Sequence, residues 1–378
     1  MKYYIIAGEA SGDLQGRYLV RALRQQDPLA QIRCWGGDGM QEEGATLVKH
    51  FRELAFMGFF EVLLNLPTII RNLSFCKKDI QSFHPDVVVL IDYPGFNLRI
   101  AQWAKYAGYK VVYYISPQVW AWKANRVKTM KACIDRLLVI LPFEDDYYRK
   151  YWDWKVDYVG HPLAQVTAEK LAIHTPALYP TKQVALLPGS RKQEIQKKLP
   201  VMLAVTRHFP HHRFVVAAAP GLDIEFYQSF LRGYTNVEIR QGHTYDILLG
   251  SDAALVTSGT ATLETALLGI PEAVCYKGNP LSYAIAKRLV KIPYISLVNL
   301  ILGKPAVREF IQDQMNEENL RNELDELLNN EERRVNMKAD FQMLRSQLEL
   351  GGSASENAAR IIVRESAKQL DGQNNQTQ

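Results

Sequence analysis

Cysteine is scarce in this chain: Cys34, Cys76, Cys133 and Cys275 are its four, far apart, with no C-x-x-C pair and no histidine at zinc-ligand spacing. That excludes a disulfide framework and a zinc module and fits a reducing compartment. Long apolar runs are lacking as well. The greasiest segments are interrupted by Glu61, Asn65, Pro67 or Arg71, short of the roughly 20 residues a helix needs to cross a bilayer. Strand-like residues 3–7 follow Met1 almost at once, so no signal peptide is expected. Charge of one sign is not in excess either: 45 basic against 40 acidic residues leave +5, which by itself does not argue for a nucleic-acid partner and allows small anionic ligands or an anionic membrane surface. The common phosphate fingerprints are also missing. Gly8-Glu9-Ala10-Ser11-Gly12-Asp13 lies between a strand and a helix but has neither G-x-G-x-x-G nor a Walker lysine-hydroxyl pair.

What is present is a repeated strand-loop-helix grammar. With 378 residues and 47% hydrophobic content, two α/β cores are affordable. Short β-branched runs at 3–7, 87–91, 111–115 and 137–141 read as buried parallel strands of a doubly wound sheet. The pattern restarts after a Pro- and Thr-containing passage at 175–181, with strands at 184–187, 214–218, 237–239, 253–257 and 273–276. The expected organisation is therefore a first Rossmann-like domain over 1–174, a second over 175–340, C-terminal helices over 341–370 and a disordered tail over 371–378.

Ligands of open α/β sheets bind at the carboxyl ends of strands, so the residues there are the candidates. In the second half, Ser258-Gly259-Thr260 follows a strand and opens a helix. Ser258 suits an N-cap, Gly259 admits close backbone approach, and free N–H groups there suit a diphosphate. Glu264, one turn on, can reach sugar hydroxyls. A plain helix cap and a solvated glutamate account for the same residues. Pro188-Gly189-Ser190-Arg191 follows another strand, and Arg191 offers a guanidinium fork for an anion, although an ordinary βα loop accounts for the same residues.

In the first half, Asp92 ends the 87–91 strand and is the candidate general base for a sugar hydroxyl that must lose its proton as it attacks. An Asp-containing turn is the plainer reading. Glu9, Ser11, Asn97, Trp120, Trp122 and His161 are further candidates for the acceptor side of a cleft. Core packing explains one of the two tryptophans better than both, and a structural role suits His161 better than a cleft-facing one. Phe59, Phe60, Leu63 and Leu64 fall in a stretch too apolar for an ordinary loop, with Arg71, Lys77 and Lys78 close behind; an interfacial patch, an acyl-chain groove or a core helix each fits.

Taken in order, these motifs resemble lipid-A-disaccharide synthases. The resemblance rests on Ala7 to Asp13, Met57-Gly58-Phe59-Phe60-Glu61-Val62, Ile91-Asp92-Tyr93-Pro94-Gly95-Phe96-Asn97, Ser116-Pro117-Gln118-Val119-Trp120-Ala121-Trp122, Leu141-Pro142-Phe143-Glu144, Gly160-His161-Pro162, Leu187 to Arg191, Ser258 to Glu264 and Ala286 to Val290. It implies a GT-B fold of two Rossmann-like domains facing a cleft. It also implies an inverting, metal-independent and cofactor-free transfer from UDP-2,3-diacylglucosamine to 2,3-diacylglucosamine 1-phosphate, giving the β-1,6-linked lipid A disaccharide 1-phosphate and UDP. Carried over residue by residue, it makes Asp92 the base and places Arg191, Ser190, Ser258, Gly259, Thr260, Glu264 and Asn299 on the UDP-sugar. Two positions depart from the family pattern: Gly95 stands where an acidic residue is common, and Val298 where a proline commonly precedes Asn299. The resemblance further implies a cytoplasmic enzyme lying on the inner membrane, with no nucleic-acid partner and homodimerisation left open. A UDP-sugar epimerase on the same architecture and a non-enzymatic nucleotide-sugar or lipid-binding protein are the competing classes.

Overall fold

The computed structural model describes residues 1–54, 66–175, 182–280, 283, 287–288 and 292–374. The chain divides into two compact units, Met1–Pro162 with Glu349–Gln378, and Leu163–Leu348.

The first unit is built on seven parallel strands: β1 (Lys2–Ala7), β2 (Gln31–Gly36), β3 (Thr46–His50), β4 (Val87–Ile91), β5 (Lys110–Tyr114), β6 (Arg136–Val139) and β7 (Asp157–Tyr158), in the order β3-β2-β1-β4-β5-β6-β7. Side chains alternate across such a sheet. Tyr3, Ile5, Val87, Val89 and Val112 enter one core with helix Ala10–Gln26, while Tyr4, Ile6, Val88, Leu90, Val111 and Tyr113 enter another with helices Leu66–Phe83, Pro94–Tyr106 and Arg126–Cys133. Burial on both faces is why these strands are near-continuous apolar runs.

The second unit repeats the scheme with six parallel strands: β8 (Gln183–Leu187), β9 (Arg213–Ala218), β10 (Val237–Gln241), β11 (Ala253–Thr257), β12 (Glu272–Tyr276) and β13 (Arg308–Ile311), ordered β10-β9-β8-β11-β12-β13. In both sheets the order reverses beside the first strand of the unit, between β1 and β4 and between β8 and β11. Such reversals open a crevice at the carboxyl ends of the two central strands.

The units do not meet where composition suggested. Leu163 and Ala164 of helix Pro162–Ile173 already belong to the second core, and all but the first residue of the expected 175–181 linker lies outside the described residues. The C-terminal helices divide between the units: Met337, Phe341, Leu344 and Leu348 of helix Glu331–Glu349 complete the second core, while Ala358, Ala359 and Ile362 of helix Ala354–Asn374 complete the first. Each helix has one apolar stripe and follows it. The last helix reaches Asn374, further than the expected start of a disordered tail at 371.

Candidate active site

In the first unit the crevice is flanked by the loops after β1 and β4. The β4 loop is under backbone constraint, because Asp92 and Tyr93 both take left-handed conformations, with φ of 43° and 48°. Such strain persists only where surroundings enforce it, and here the surroundings are specific. Asn97 Nδ2 donates to the Asp92 carbonyl at 2.8 Å and to Ile91 and Ile6 carbonyls at 3.1 and 3.3 Å. The Tyr113 phenol donates to the Asp92 carbonyl at 2.5 Å. The Tyr93 ring lies over Gly8, where any Cβ would sit 2.2 Å from a ring carbon. Gly8 is thus required by the Tyr93 ring, which leaves no room there for a side chain.

Burial raises the Asp92 carboxyl from its ordinary range to about 6, and the nearby Glu9 carboxylate adds to the effect. A carboxylate held there is a stronger base than a solvated one yet still ionised at neutral pH. Glu9 is the N-cap residue of helix Ala10–Gln26, and Ser11 is exposed in its first turn. Asp13, four residues past Glu9, is spent internally on the backbone N–H groups of Gly37, Gly39 and Met40.

Several candidates take other roles. Asn97 is fully buried and positions the β4 loop, so it presents nothing to a cleft. His161 is also buried, and desolvation lowers its pKa to about 3, which keeps the ring neutral and unsuited to acid-base work near pH 7. The two tryptophans differ. Trp120 Nε1 donates to Glu144 at 3.2 Å and its ring meets Phe143 edge-on, whereas Trp122 is exposed. Glu144 is a buried residue that sequence reading missed as a tether. It also accepts from the N–H groups of Ile140 and Leu141, and burial lifts its pKa to about 7. Phe59, Phe60, Leu63 and Leu64 lie outside the described residues.

In the second unit, the loops after β8, β9 and β11 enclose a cavity of about 320 Å³ lined by Gly189, Ser190, Glu194, Ala219, Thr257, Ser258, Gly259, Thr260 and Glu264, among others. Helix Thr260–Leu267 starts at its wall. The cap residue is Gly259, with φ of 152°, rather than Ser258, whose hydroxyl instead donates to the Ile295 carbonyl at 3.2 Å. With no side chain capping the helix, its first N–H groups are left for an anion. Glu264 accepts from Tyr245 at 2.6 Å, and burial raises its pKa.

Two expected residues stand apart from this cavity. Arg191 is the N-cap residue of helix Lys192–Thr206, more than half exposed, with Nη1 3.1 Å from Glu194. Asn299 is buried and clamps a loop: its amide joins Val307 and Glu309 at 2.9 Å. Val298 sits in the first turn of helix Leu297–Leu302, where the Ser296 hydroxyl accepts from Asn299 N–H, so a side-chain cap fixes a backbone that a proline would otherwise restrict. Thr257 was not anticipated. Its hydroxyl oxygen is buried at the cavity without a hydrogen bond, and its position as the last residue of β11 was the available signal.

Comparison with known proteins decides among the classes. Residues 3–363 match the family model described as lipid-A-disaccharide synthetase. The chain belongs to the lipid-A-disaccharide synthase family. It is 40% identical over 370 residues to the lipid-A-disaccharide synthase of Syntrophus aciditrophicus, covering 95% of this chain and 96% of that one. The fold is shared more widely. The UDP-GlcNAc 2-epimerase from Neisseria meningitidis, solved with UDP-GlcNAc, superposes with a TM-score of 0.65 at 15% identity, covering 97% of this chain and all of that one. The calicheamicin glycosyltransferase CalG4 gives 0.62 at 15% identity, over 96% and 97% of the two chains. As a member of the lipid-A-disaccharide synthase family this chain is a GT-B glycosyltransferase, and nucleotide sugars are its substrate class.

Proposed function

We propose that the protein transfers diacylglucosamine from its UDP ester to the 6-hydroxyl of diacylglucosamine 1-phosphate with inversion at the anomeric carbon. The observation that carries this reading is Asp92: a buried carboxylate at the first sheet's topological reversal, held in a left-handed turn with its pKa raised to about 6. As the acceptor oxygen bonds to the donor's anomeric carbon, the bond to the diphosphate breaks. The hydroxyl proton passes to Asp92, and UDP leaves with the electron pair. On the donor side, Ser190, Gly259 and Thr260 line the cavity that suits the diphosphate, and Glu264 suits a pair of ribose hydroxyls. Arg191 would turn from Glu194 to the leaving phosphate, so that helix terminus and guanidinium offset its charge without a divalent ion. Asn299 supports this side through the Glu309 clamp, since Glu309 also accepts from the Ile295 and Ser296 N–H groups beside the Ser258 contact.

Both proposed substrates carry acyl chains, which would bring the enzyme to a membrane surface. Among the described residues no helix is long and apolar enough to cross one. Helix Leu66–Phe83 exposes Ile70 and Phe75 beside Arg71 and Lys78, a mixture suited to lying on an anionic surface. The deciding experiment incubates purified protein with both lipids and follows UDP release together with the mass of the disaccharide. Donor alone serves as a control: epimerised UDP-sugar without disaccharide would overturn the transferase reading.

A further inference from the structure

The loop after β5 carries a cluster that the proton transfer at Asp92 does not use. Trp122 is 46% exposed, with the Lys123 ammonium 4.2 Å and the Arg126 guanidinium carbon 5.6 Å from its ring centroid. Among the described residues neither cation is paired with a carboxylate, unlike Arg21 on Glu43 or Lys105 on Asp135. Arg126 also opens helix Arg126–Cys133, which has no side-chain cap, so the positive end of that helix adds to both charges. Two uncompensated cations around an open indole face are the features that bind an anion attached to a ring with an apolar face.

The place of the cluster is as informative as its chemistry. β5 lies against β4, with Tyr114 paired to Ile91, so this loop leaves the sheet next to the Asp92 turn. The buried Tyr113 phenol, bonded to the Asp92 carbonyl, feels both the Asp92 carboxylate and the Arg126 guanidinium.

We infer that Trp122, Lys123 and Arg126 form the subsite for the phosphate of a glycosyl 1-phosphate acceptor, with the sugar ring over the indole and the phosphate between the two cations. This assignment rests on the transferase reading above and adds to it a means of orienting the acceptor. In a hexopyranose 1-phosphate the anomeric carbon and the carbon that bears the 6-hydroxymethyl group flank the ring oxygen, so phosphate and 6-hydroxyl project from the same edge of the ring. Fixing the phosphate in the β5 loop therefore holds the hydroxyl beside the adjoining β4 loop, where Asp92 stands. Orientation of this kind is a large part of what an enzyme contributes to a two-substrate reaction.

The test compares initial rates of the full-length protein on 2,3-diacylglucosamine 1-phosphate and on the same sugar without its phosphate, at fixed UDP-donor. Two charge-assisted hydrogen bonds predict a wild-type preference of about 100-fold for the phosphorylated acceptor. Lys123→Ala with Arg126→Ala should reduce that preference to within a few-fold and leave the donor KM unchanged. The pair Lys123→Gln with Arg126→Gln keeps the side-chain stems on the indole and reads the charge alone, should the alanine pair fold poorly. Trp122→Ala should raise the KM for both acceptors about tenfold and keep the preference. An undiminished preference in both double variants overturns the proposal. So does undiminished preference with lost binding to phosphatidylglycerol vesicles, which would make the cluster a lipid-headgroup site. No disaccharide from the wild type with either acceptor would reject the transferase reading itself and this subsite with it.

Discussion

The side-chain amide of Asn97 donates to the main-chain carbonyl of Asp92 across 2.8 Å, so a buried amide fixes the backbone from which the proposed base projects. The asparagine acts on the turn and leaves the carboxylate unbonded by it. Base strength and base position are therefore set by different residues, burial and Glu9 governing the first and Asn97 with Tyr113 the second.

Asp92→Asn should lower turnover by about 100-fold or more, the usual scale for losing a general base, with donor binding kept. The base works ionised, so wild-type turnover should rise as pH passes about 6 and level off above it, and the variant's residual rate should lack that limb. The folded carboxyl binds its proton more tightly than the unfolded one, so its contribution to stability falls as pH rises from about 4 to about 6. The variant should consequently melt no lower than wild type at pH 8. Calorimetry beside the pH-rate profile checks both, and a normal turnover removes Asp92 from the mechanism.

Two glycines separate the acceptor and donor sides. Gly8→Ala drives a methyl into the Tyr93 ring, so it should reduce kcat through the Asp92 turn and spare the donor KM. Gly259→Ala meets open space but an unfavourable φ; strain of about 1–3 kcal/mol should move the helix start and raise the donor KM. Steady-state kinetics of the pair that showed the reverse split would contradict the assignment of the two units.

Arg191→Ala should weaken donor use, with Arg191→Lys recovering only part because the fork is lost. Turnover should be unaffected by EDTA, since cation and helix terminus are proposed to meet the leaving charge. Loss of activity to EDTA that magnesium restores would replace this account with a metal-assisted one.

Peripheral binding is testable from the described helix. Ile70→Ser changes a side chain already 58% exposed, so vesicle association should fall with little change in melting temperature. Phe60→Ser with Leu64→Ser, in the adjoining apolar stretch, should act in the same direction. Each of Arg71 and Lys78 should add about 1 kcal/mol on anionic vesicles, making association weaken as salt rises. Sedimentation that is independent of salt, or a collapse in stability, would identify core in place of a membrane face.

The fold was legible wherever a strand is buried on both faces, because β4 and β11 are apolar runs with no other use for their sequence. β2 and β13 were not, since Arg33 interrupts the one and Arg308 opens the other for the sake of ion pairs with Asp79 and Glu323, partners a linear pattern does not reveal. Loops were found from their glycines and strand ends, whereas the direction of a polar side chain was not. Asn97 and Asn299 read as ligand contacts because a side-chain amide looks the same in a sequence whether it faces a substrate or a neighbouring carbonyl. Only the fold shows which carbonyl is in reach.

Helix Ala354–Asn374 returns to the first unit after the whole of the second, and its Ala358, Ala359 and Ile362 finish a core begun by Tyr3 and Ile5. On the ribosome, the first half of the sequence must therefore wait with an apolar sheet face uncovered while nearly two hundred further residues are made, and the part translated later is the part able to fold sooner. In a truncation series that stops short of this helix, the N-terminal unit should be the one that engages chaperones and is lost to proteolysis.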